Sequence, residues 1–412
     1  MLFLSTKIIF LILCLGFFYP FHSFSEIIKQ KKTTDENPNF NVFLDYSSSL
    51  NSLVKKEYSE GTRFSVNCLN LEVIGKANDK ISYRFTKQFI KKIDMNAESY
   101  DMLDLAYLKY KWNDKLYFLF GKQPFSFGSM EYANESSFYE DPYRYPHVYK
   151  KNKKNNYVGF SFIYHPIKDH EFQFQVLNEM RPQEGNMIIQ EINYPMGYSV
   201  NWNWSLNPNH DNNDHDNNDH DNNDHDNDKI IKNRWSYSIF QEHEKKKYWK
   251  LLALGSQLNW KPVTIEADYI LSDEDREKNR DITYILRLWN RNYYDVASVK
   301  YGTYLVKLKY NFIPKWNLIA KGVYEIGISK TGMNEILEDN KINEILGENK
   351  LFQKAYTYYG GIEFIPIIKN NDISFFLAYK NHRLNYSLDQ IKKENKNDHF
   401  LILGLNYRVK MI

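Results

Sequence analysis

Residues 263–271 read VTIEADYIL, and apolar and polar side chains alternate one by one from Val263 to Tyr269. Successive side chains of a β-strand point to opposite faces of the sheet, so this period of two predicts a strand with one apolar and one polar face. The same alternation recurs near 39–46, 62–75, 80–90, 102–112, 115–123, 157–165, 170–179, 197–205, 233–242, 249–260, 262–271, 301–311, 315–327, 354–365, 372–386 and 398–410, with 281–290 as one further candidate. We therefore expect an all-β protein of about sixteen strands, with a bulge where the strand at 62–75 changes parity between Cys68 and Leu71.

The connections between these strands alternate between short and long. Tight turns are predicted at 78–79, 113–114, 166–169, 261–262 and 313–315, and longer polar segments at 47–61, 91–101, 124–156, 180–196, 272–300, 328–353 and 387–397. Transmembrane β-barrels have short periplasmic turns and long external loops, whereas a soluble sandwich has no reason to alternate loop length by strand parity. The pattern predicts a transmembrane antiparallel β-barrel, and a soluble sandwich or a barrel lectin is the alternative.

The composition is typical of such a barrel and excludes other classes. The 412 residues are 17% aromatic but only 42% apolar. A helical membrane protein needs runs of about 20 apolar residues, and long disordered chains lack aromatic residues. Strands with an apolar outer face, flanked by belts of Tyr and Phe, combine many aromatic residues with a polar remainder.

The N-terminus has the features of an export signal. Lys7 precedes an apolar run at 8–19, and small residues follow at Ser23 and Ser25. This order predicts a secretory signal peptide at 1–25 that is cleaved after Ser25, which leaves 26–412 as the outer-membrane β-barrel. The alternative is a transmembrane anchor, for which the apolar run is short.

A low-complexity His/Asp/Asn insert at 207–229 interrupts the barrel. Its core, HDNNDHDNNDHDNNDHDND at 210–228, contains eight aspartates and the histidines His210, His215, His220 and His225. Imidazole and carboxylate groups bind divalent metal ions, so these histidines are candidate metal ligands. We favour a solvated, disordered insert instead, and expect no cofactor. The alternation of loop lengths places the insert in a periplasmic turn.

The aspartates of the insert offset the positive charge of the barrel in the net charge of the whole chain. The chain has 54 basic and 51 acidic residues, a net charge of +3. Cleavage after Ser25 would remove one Lys and leave 53 basic residues. Without the eight aspartates of the insert, 43 acidic residues would face those 53, a net charge of +10. The barrel itself is therefore basic.

The polar parity of the strands is expected to line the interior. It places eight basic residues inside, namely Arg63, Arg84, Lys109, Lys111, Lys307, Lys309, Lys321 and Arg408, against four acidic ones, namely Glu266, Asp268, Glu325 and Glu363. Lining charges of one sign favour ions of the opposite sign, which predicts an anion preference. The alternative is that these side chains only solvate the lumen. The segment at 124–156 carries the further bases Arg144 and Lys150, and we expect it to fold back into the pore.

One stretch resembles a known family. GKQPFSFG at 121–128 is similar to the phosphate-selective porin O and P family, in which a strand ends in a Gly-Lys/Gln stretch and a Phe-Gly turn leads into the constriction loop. Segments 103–110, 234–238, 254–257 and 403–409 are similar as well, and the similarity spans nearly the whole mature chain. The resemblance implies a sixteen-stranded outer-membrane porin, usually a homotrimer, in which interior Arg and Lys guide anions.

The sequence contains none of the catalytic signatures that we sought. There is no GxxxxGK[ST], GxSxG, HExxH or CxxC motif, so we expect no enzyme. We expect a passive diffusion channel for small hydrophilic solutes in the bacterial outer membrane, with a mild preference for anions, phosphate among them. It would contact outer-membrane lipid and lipopolysaccharide, and no nucleic acid. The alternative function is that of a non-conducting outer-membrane binding or adhesion barrel.

Overall fold

Sixteen β-strands make up most of the part of the chain that the computed structural model describes. The described residues are 40–54, 62–90, 104–131, 157–179, 196–206, 230–241, 247–275, 298–330, 351–366, 373–387 and 395–411. The strands are β1 (Phe40–Leu53), β2 (Arg63–Asn78), β3 (Ile81–Ile90), β4 (Leu105–Asn113), β5 (Leu116–Lys122), β6 (Tyr157–Tyr164), β7 (His170–Glu179), β8 (Met196–Leu206), β9 (Ile231–Gln241), β10 (Tyr248–Trp260), β11 (Val263–Glu274), β12 (Val299–Ile313), β13 (Trp316–Ser329), β14 (Leu351–Phe364), β15 (Ile373–Tyr386) and β16 (Lys396–Lys410). Within these ranges, no helix is long and apolar enough to cross a membrane.

The strands pair with their neighbours in chain order and close into a barrel. The first strand pairs antiparallel with the last, in a register that runs from Phe43 opposite Lys410 to Leu53 opposite Phe400. Closure removes the exposed strand edges that an open sheet would present. The prediction of an all-β, antiparallel, sixteen-stranded transmembrane barrel is confirmed.

The two faces of the wall differ as the alternation predicts. Asp268 and Thr303 point inward and are 4% and 2% exposed, whereas Tyr304 and Val306 point outward and are 49% and 54% exposed. Outward tyrosines of adjacent strands contact one another on the outer surface of the wall, with ring centroids 4.9 Å apart for Tyr269 and Tyr304. Apolar side chains that face outward find a favourable environment in lipid, which explains their exposure here.

A β-bulge in β2 changes which residues face inward. Ser47 of β1 lies opposite Cys68, and the next residue, Ser48, lies opposite Val66, so Asn67 is the extra residue. Asn67 and Cys68 are both buried. The bulge lies in the predicted strand, but at Asn67 rather than between Cys68 and Leu71. Because the bulge changes which side chains of β2 point inward, Glu72 faces the interior, where it is fully buried.

Loop length alternates between the two ends of the barrel, with two departures besides the connection that contains the insert. One end carries the short connections 79–80, 114–115, 165–169, 261–262 and 314–315, and the other carries 54–62, 91–104, 123–156, 180–195, 275–298, 330–350 and 387–395. At the long-loop end, however, the 242–247 connection is short, and at the short-turn end 365–372 is longer. The strand candidate at 281–290 lies outside the described residues.

The insert at 207–229 lies outside the described residues, but the strands that flank it are described. They meet at the short-turn end, as the alternation predicts, because β8 runs away from the long-loop end. The Ile230 N–H donates to the carbonyl oxygen of Leu206 at 3.0 Å, so the chain leaves and re-enters the wall at adjacent points.

Candidate functional site in the barrel interior

A segment at 123–131, called here the inward segment, leaves the end of β5 and crosses the inner wall of the barrel. The backbone N–H of Ser126 donates to Oε1 of Gln175 on β7 at 2.8 Å. The N–H of Gly128 donates to Oγ of Ser236 on β9, also at 2.8 Å. Gln175 and Ser236 both lie on the polar, inward face of the wall. The expectation that the loop after β5 folds into the pore is confirmed for this described part.

Asp268 on β11 holds the far end of the inward segment. Its carboxylate accepts hydrogen bonds from Ser129 Oγ at 2.7 Å, the Met130 N–H at 2.7 Å and the Glu131 N–H at 3.0 Å. Charge-assisted hydrogen bonds of this kind are stronger than neutral ones, and three of them compensate for the burial of a carboxylate. Asp268 therefore fixes the position of the segment within the pore.

Lys321 on β13 adds a second attachment. Its Nζ lies 2.6 Å from Oε1 of Glu131, and its side chain is 1% exposed. The ammonium also lies 5.2 Å from the ring centroid of Tyr359. Lys321, expected to guide anions, is thus enclosed and paired, and its geometry is that of a positioning residue for the inward segment.

Apolar packing and two glycines bring the inward segment close to the wall. Phe125 contacts Phe240 of β9 with ring centroids 4.8 Å apart, and Phe127 is 3% exposed. A Cβ on Gly128 would lie 2.6 Å from the Ser236 nitrogen, and one on Gly255 would lie 2.7 Å from Asp268 Oδ1. Only glycine allows backbone and wall to approach this closely at these positions.

Arg84 and Arg408 lie in a buried ion-pair network, called here the closure cluster, at the seam between β16 and the first strands. Arg84 Nε lies 2.5 Å from Glu72 Oε1, and an Arg408 nitrogen lies 2.7 Å from Glu72 Oε2. Arg408 is also 3.4 Å from Asp45. The sequence did not single out the two carboxylates, and both are 0% exposed. The two arginines are largely occupied by structural pairing.

Two further predicted bases pair with carboxylates across strands. Lys307 Nζ lies 3.6 Å from Glu266, and Lys309 Nζ lies 2.9 Å from Glu363. All four side chains face the interior, as the alternation predicts. Their charges largely cancel within each pair, so each pair presents less net charge to a passing ion than a lone lysine.

The inner wall of β2 and β4 also carries bases that have no acidic partner among the described residues. Lys109 Nζ lies 4.6 Å above the ring of Tyr117. Lys111 pairs with Asp114 at 2.9 Å. Among the residues whose side chains the structure describes, Lys109, Lys76 and Arg63 form no ion pair. Strand parity places all three on the interior face, and we call Lys76 and Lys109 the basic wall.

The interior face carries more charged residues than the eight bases and four acids expected. It has additional acids at Asp45, Glu72, Glu171 and Glu274, and additional bases at Lys76, Lys232, Arg234 and Lys380. Glu72 was missed because the bulge at Asn67 reverses parity. With these residues the count is twelve bases against eight acids, so the bases still exceed the acids by four, and the bases differ from one another in whether they are paired.

The remaining candidates lie outside the described residues, namely Arg144, Lys150, His210, His215, His220 and His225. Within the described ranges, no group of three or more His, Cys, Asp or Glu side chains could hold a metal ion. The inward segment and the lining bases around it are therefore the groups that the described part of the interior offers to a solute.

A closed barrel with a lipid-facing outer wall, a polar interior and a loop fastened inside it defines an outer-membrane porin. The chain belongs to the phosphate-selective porin O and P family, whose model matches residues 39–408. It is accordingly a channel-forming protein of the bacterial outer membrane. Among curated proteins, none is significantly similar to this chain in sequence.

Solved porin structures share the fold. OmpF of Salmonella typhi, in complex with daunomycin, is 10% identical and has a TM-score of 0.54, with 90% of this chain and 97% of that one covered. A loop-deletion mutant of OmpT, an outer membrane protein of Vibrio cholerae, is 11% identical and has a TM-score of 0.52, with 90% and 99% covered. At this identity the likeness concerns the fold alone.

Proposed function

We propose that this porin is a passive diffusion channel, and not an enzyme, for small hydrophilic solutes, with a mild preference for anions. The observation that carries the anion preference is the pairing of the interior charges. Glu72, Glu266 and Glu363 each have a basic partner within 3.6 Å, and Asp268 is buried beneath the inward segment. The basic wall has no acidic partner among the described residues, so its charge reaches the solute path.

The proposed solute class is small anions in general, with phosphate as one member. Planar, bidentate recognition of phosphate is a property of Arg, whereas Lys acts as a point charge. The two interior arginines of the closure cluster are largely occupied by carboxylates. Arg63, which has no ion pair among the described residues, is a single guanidinium at the long-loop end of β2. The basic wall consists of lysines, which attract anions without selecting a particular one.

Reversal potentials in planar bilayers test the anion preference. Replacing both Lys76 and Lys109 with Gln should lower the anion-to-cation permeability ratio about four-fold per charge, because a unit charge across roughly 10 Å of water favours an anion and disfavours a cation by about two-fold each. Lys300→Gln is the matched control, because Lys300 lies on the outward face of β12. Equal ratios for the double variant and the parent protein would contradict the proposal.

Conductance itself separates the channel from a non-conducting binding or adhesion barrel. Deleting residues 124–156 should raise the single-channel conductance, because the deletion removes the inward segment from the lumen. An adhesion barrel would instead conduct at no voltage, before or after the deletion, and would lose binding to its partner.

We also propose that residues 1–25 are a cleaved signal peptide, that 26–412 form the membrane barrel and that the protein is a homotrimer in contact with outer-membrane lipid and lipopolysaccharide. Support for the trimer comes from OmpT of Vibrio cholerae, described in a trimer form, which shares the fold with a TM-score of 0.50 and 10% identity, with 90% of this chain and 99% of that one covered. N-terminal sequencing and the mass of the native complex test these points.

The insert at 207–229 is proposed to be dispensable for the barrel. Leu206 and Ile230 are already joined by a hydrogen bond, so a short turn can replace the insert. Excision should leave folding and conductance unchanged. Calorimetry of a 210–228 peptide with zinc or nickel tests whether its histidines bind metal.

A further inference from the structure

The outer wall of β13 to β16 carries a group of polar side chains near the long-loop end, where the rest of this face is apolar. Strand register places them next to one another: Lys354 is opposite Asn385, Arg383 is opposite Asn397, and Asn381 is opposite His399. We call these six residues the outer-wall patch. Towards the opposite end, the same strands present exposed apolar side chains: Leu318, Ile362, Leu377, Leu401 and Leu403.

Hydrogen bonds within the patch leave its positive charges uncompensated. Asn381 Nδ2 donates to Asn397 Oδ1 at 2.8 Å, and Tyr379 Oη lies 2.6 Å from His399 Nδ1. Arg383 donates from Nε to Asn385 Oδ1 at 3.2 Å. The described residues provide no carboxylate for Arg383 or Lys354. Within the described part of the chain, two cations on the membrane-facing wall therefore have no anionic partner.

A hollow in the wall lies directly beside the patch. Gly322 and Gly360 both point outward, and no atom lies within 4 Å of the position that a Cβ would take on either residue. Ala320 is opposite Gly360, and Tyr358 is opposite Gly322. Tyr358 is 54% exposed and Tyr379 is 46% exposed, so the rings stand above the small residues. The result is a shallow apolar groove bordered by tyrosines.

Together, the patch and the groove match an amphipathic anion. Charged side chains on the lipid face are unfavourable unless they lie near the membrane interface, and basic residues there attract anionic lipid headgroups. The patch lies at the long-loop end of the barrel, which faces the outer leaflet. Charge complementarity thus favours a phosphate above the groove and an acyl chain within it.

We propose that the outer-wall patch binds a phosphorylated glycolipid of the outer leaflet. A phosphate contacts Arg383 and Lys354, sugar hydroxyls contact Asn381 and Asn397, and one acyl chain lies over Gly322 and Gly360. This site is separate from the pore; it rests on the proposed contact with lipopolysaccharide and gives that contact a location on the barrel. Conduction and lipid binding are expected to vary independently.

The test uses the purified, delipidated full-length protein, with hexa-acylated lipid A as the probe and native mass spectrometry as the readout. The double variant Arg383→Gln and Lys354→Gln should bind lipid A about 30-fold more weakly, since each surface cation contributes roughly one five-fold step. Lys300→Gln is the matched control, because Lys300 is an outward base of β12 that already pairs with Asp273 at 3.8 Å. Unchanged affinity of the double variant would overturn the proposal.

Further arms separate the glycolipid from other occupants without relying on the double variant. Unaltered protein should bind dephosphorylated lipid A much more weakly, and Gly360→Leu, which fills the groove, should weaken lipid A binding. Equal binding of the dephosphorylated lipid would overturn the proposal, as would full displacement of lipid A by millimolar inorganic phosphate. A change of oligomeric state in the double variant without lipid would instead assign the patch to contacts between copies. Unchanged conductance of the variants shows that the barrel is intact.

Discussion

At the scale of single residues, the interior is organised by which charges have partners. Lys321 and Lys109 both lie on the polar parity of their strands, but Lys321 pairs with Glu131 and is enclosed, whereas Lys109 only contacts the Tyr117 ring. The same residue type thus positions a loop in one place and faces the lumen in another. Asp268 is the residue on which most of the inward segment's attachment depends.

Replacing Asp268 with Ala should release the inward segment. The substitution removes the acceptor of three hydrogen bonds and leaves the N–H groups of Met130 and Glu131 without it. Each bond to a charged group contributes about 1.5–3 kcal/mol, so attachment should weaken by at least about 3 kcal/mol. Single-channel recordings should show larger and noisier conductance.

Glu266→Gln is the control for this change, because Glu266 lies on the same face of β11 and contacts Lys307 rather than the inward segment. The control should conduct with the steadiness of the parent protein. Steady, parent-like traces from the Asp268 variant would show that the segment is held in some other way.

Three residues at the long-loop rim, Asp273, Asp275 and Lys330, should make stability depend on pH. Burial alone would raise the pKa of Asp275, but hydrogen bonds from Lys330 and the Tyr248 N–H, with nearby lysine charges, lower it below its ordinary 3.8. Burial alone would lower the pKa of Lys330, but hydrogen bonds to Asp273 and Asp275 raise it above 10.5. The stabilisation by Asp275 is therefore present above about pH 4 and lost as pH falls, and that by Lys330 is present below 10.5 and lost as pH rises further.

Thermal unfolding of Asp275→Asn against the parent protein checks this pH dependence. The variant should unfold at a lower temperature at pH 7, by an amount equivalent to about 1 kcal/mol or less, since the pair is partly exposed. The difference should shrink as the pH falls below the ordinary 3.8 and Asp275 of the parent becomes protonated. A difference that persists unchanged at pH 3 would contradict the sign of the shift.

At the scale of strands, β16 decides whether the barrel closes. Arg408 reaches from β16 to Asp45 on β1 and Glu72 on β2, while Arg84 on β3 binds Glu72 from the other side. The last strand thereby shares one buried network with the first three strands. A buried carboxylate that loses its cation is costly, so the network penalises alternative registers at the seam.

Replacing Arg408 with Met should lower the free energy of unfolding by about 3 kcal/mol, because two fully buried carboxylates lose a shared cation. The temperature at which the folded band disappears in a gel-shift assay measures the effect. Lys309→Met is the control, since the Lys309–Glu363 pair is partly exposed and should contribute about 1 kcal/mol or less. Equal effects of the two substitutions would argue against a special role for the seam.

Strand identity could be predicted from the sequence far better than strand partnership. The alternation in 263–271 marks Asp268 as inward-facing, but nothing in it indicates that Ser129 and Met130 are its partners. Likewise, the change of parity in β2 indicated a bulge but not the extra residue, which is Asn67. Glu72 was therefore not recognised as an inward-facing residue.

At the scale of the whole molecule, many interior charges are paired, and the basic wall on one side has no acidic partner among the described residues. The proposed preference for anions then comes mainly from the field of these unpaired lysines. Such a field is screened by salt over a Debye length of about 10 Å at 0.1 M and about 3 Å at 1 M. A lumen wider than a few ångströms should lose its selectivity in concentrated salt.

We therefore expect the anion-to-cation permeability ratio to fall towards one as the salt concentration rises from 0.1 to 1 M. Reversal potentials at a fixed concentration gradient, measured across this range, check the expectation. The Lys76 and Lys109 double variant should show little salt dependence, and the Lys300→Gln control should follow the parent protein. A ratio that does not change with salt would indicate direct ion binding instead of screening.

The sequence by itself determined the period of the strands, the number of strands, the alternation of loop length and the identity of the inward-facing residues on regular strands. These follow from local rules, because a side chain's face depends only on its parity along the strand. Only the tertiary structure decided that Asp268 holds the inward segment, that Arg408 joins the seam and that Lys321 is enclosed while Lys109 is not. Which side chains pair depends on strand register and on bulges, and these are set by contacts between residues that are distant in sequence. A charged side chain attracts or repels a solute strongly only when no oppositely charged side chain lies beside it.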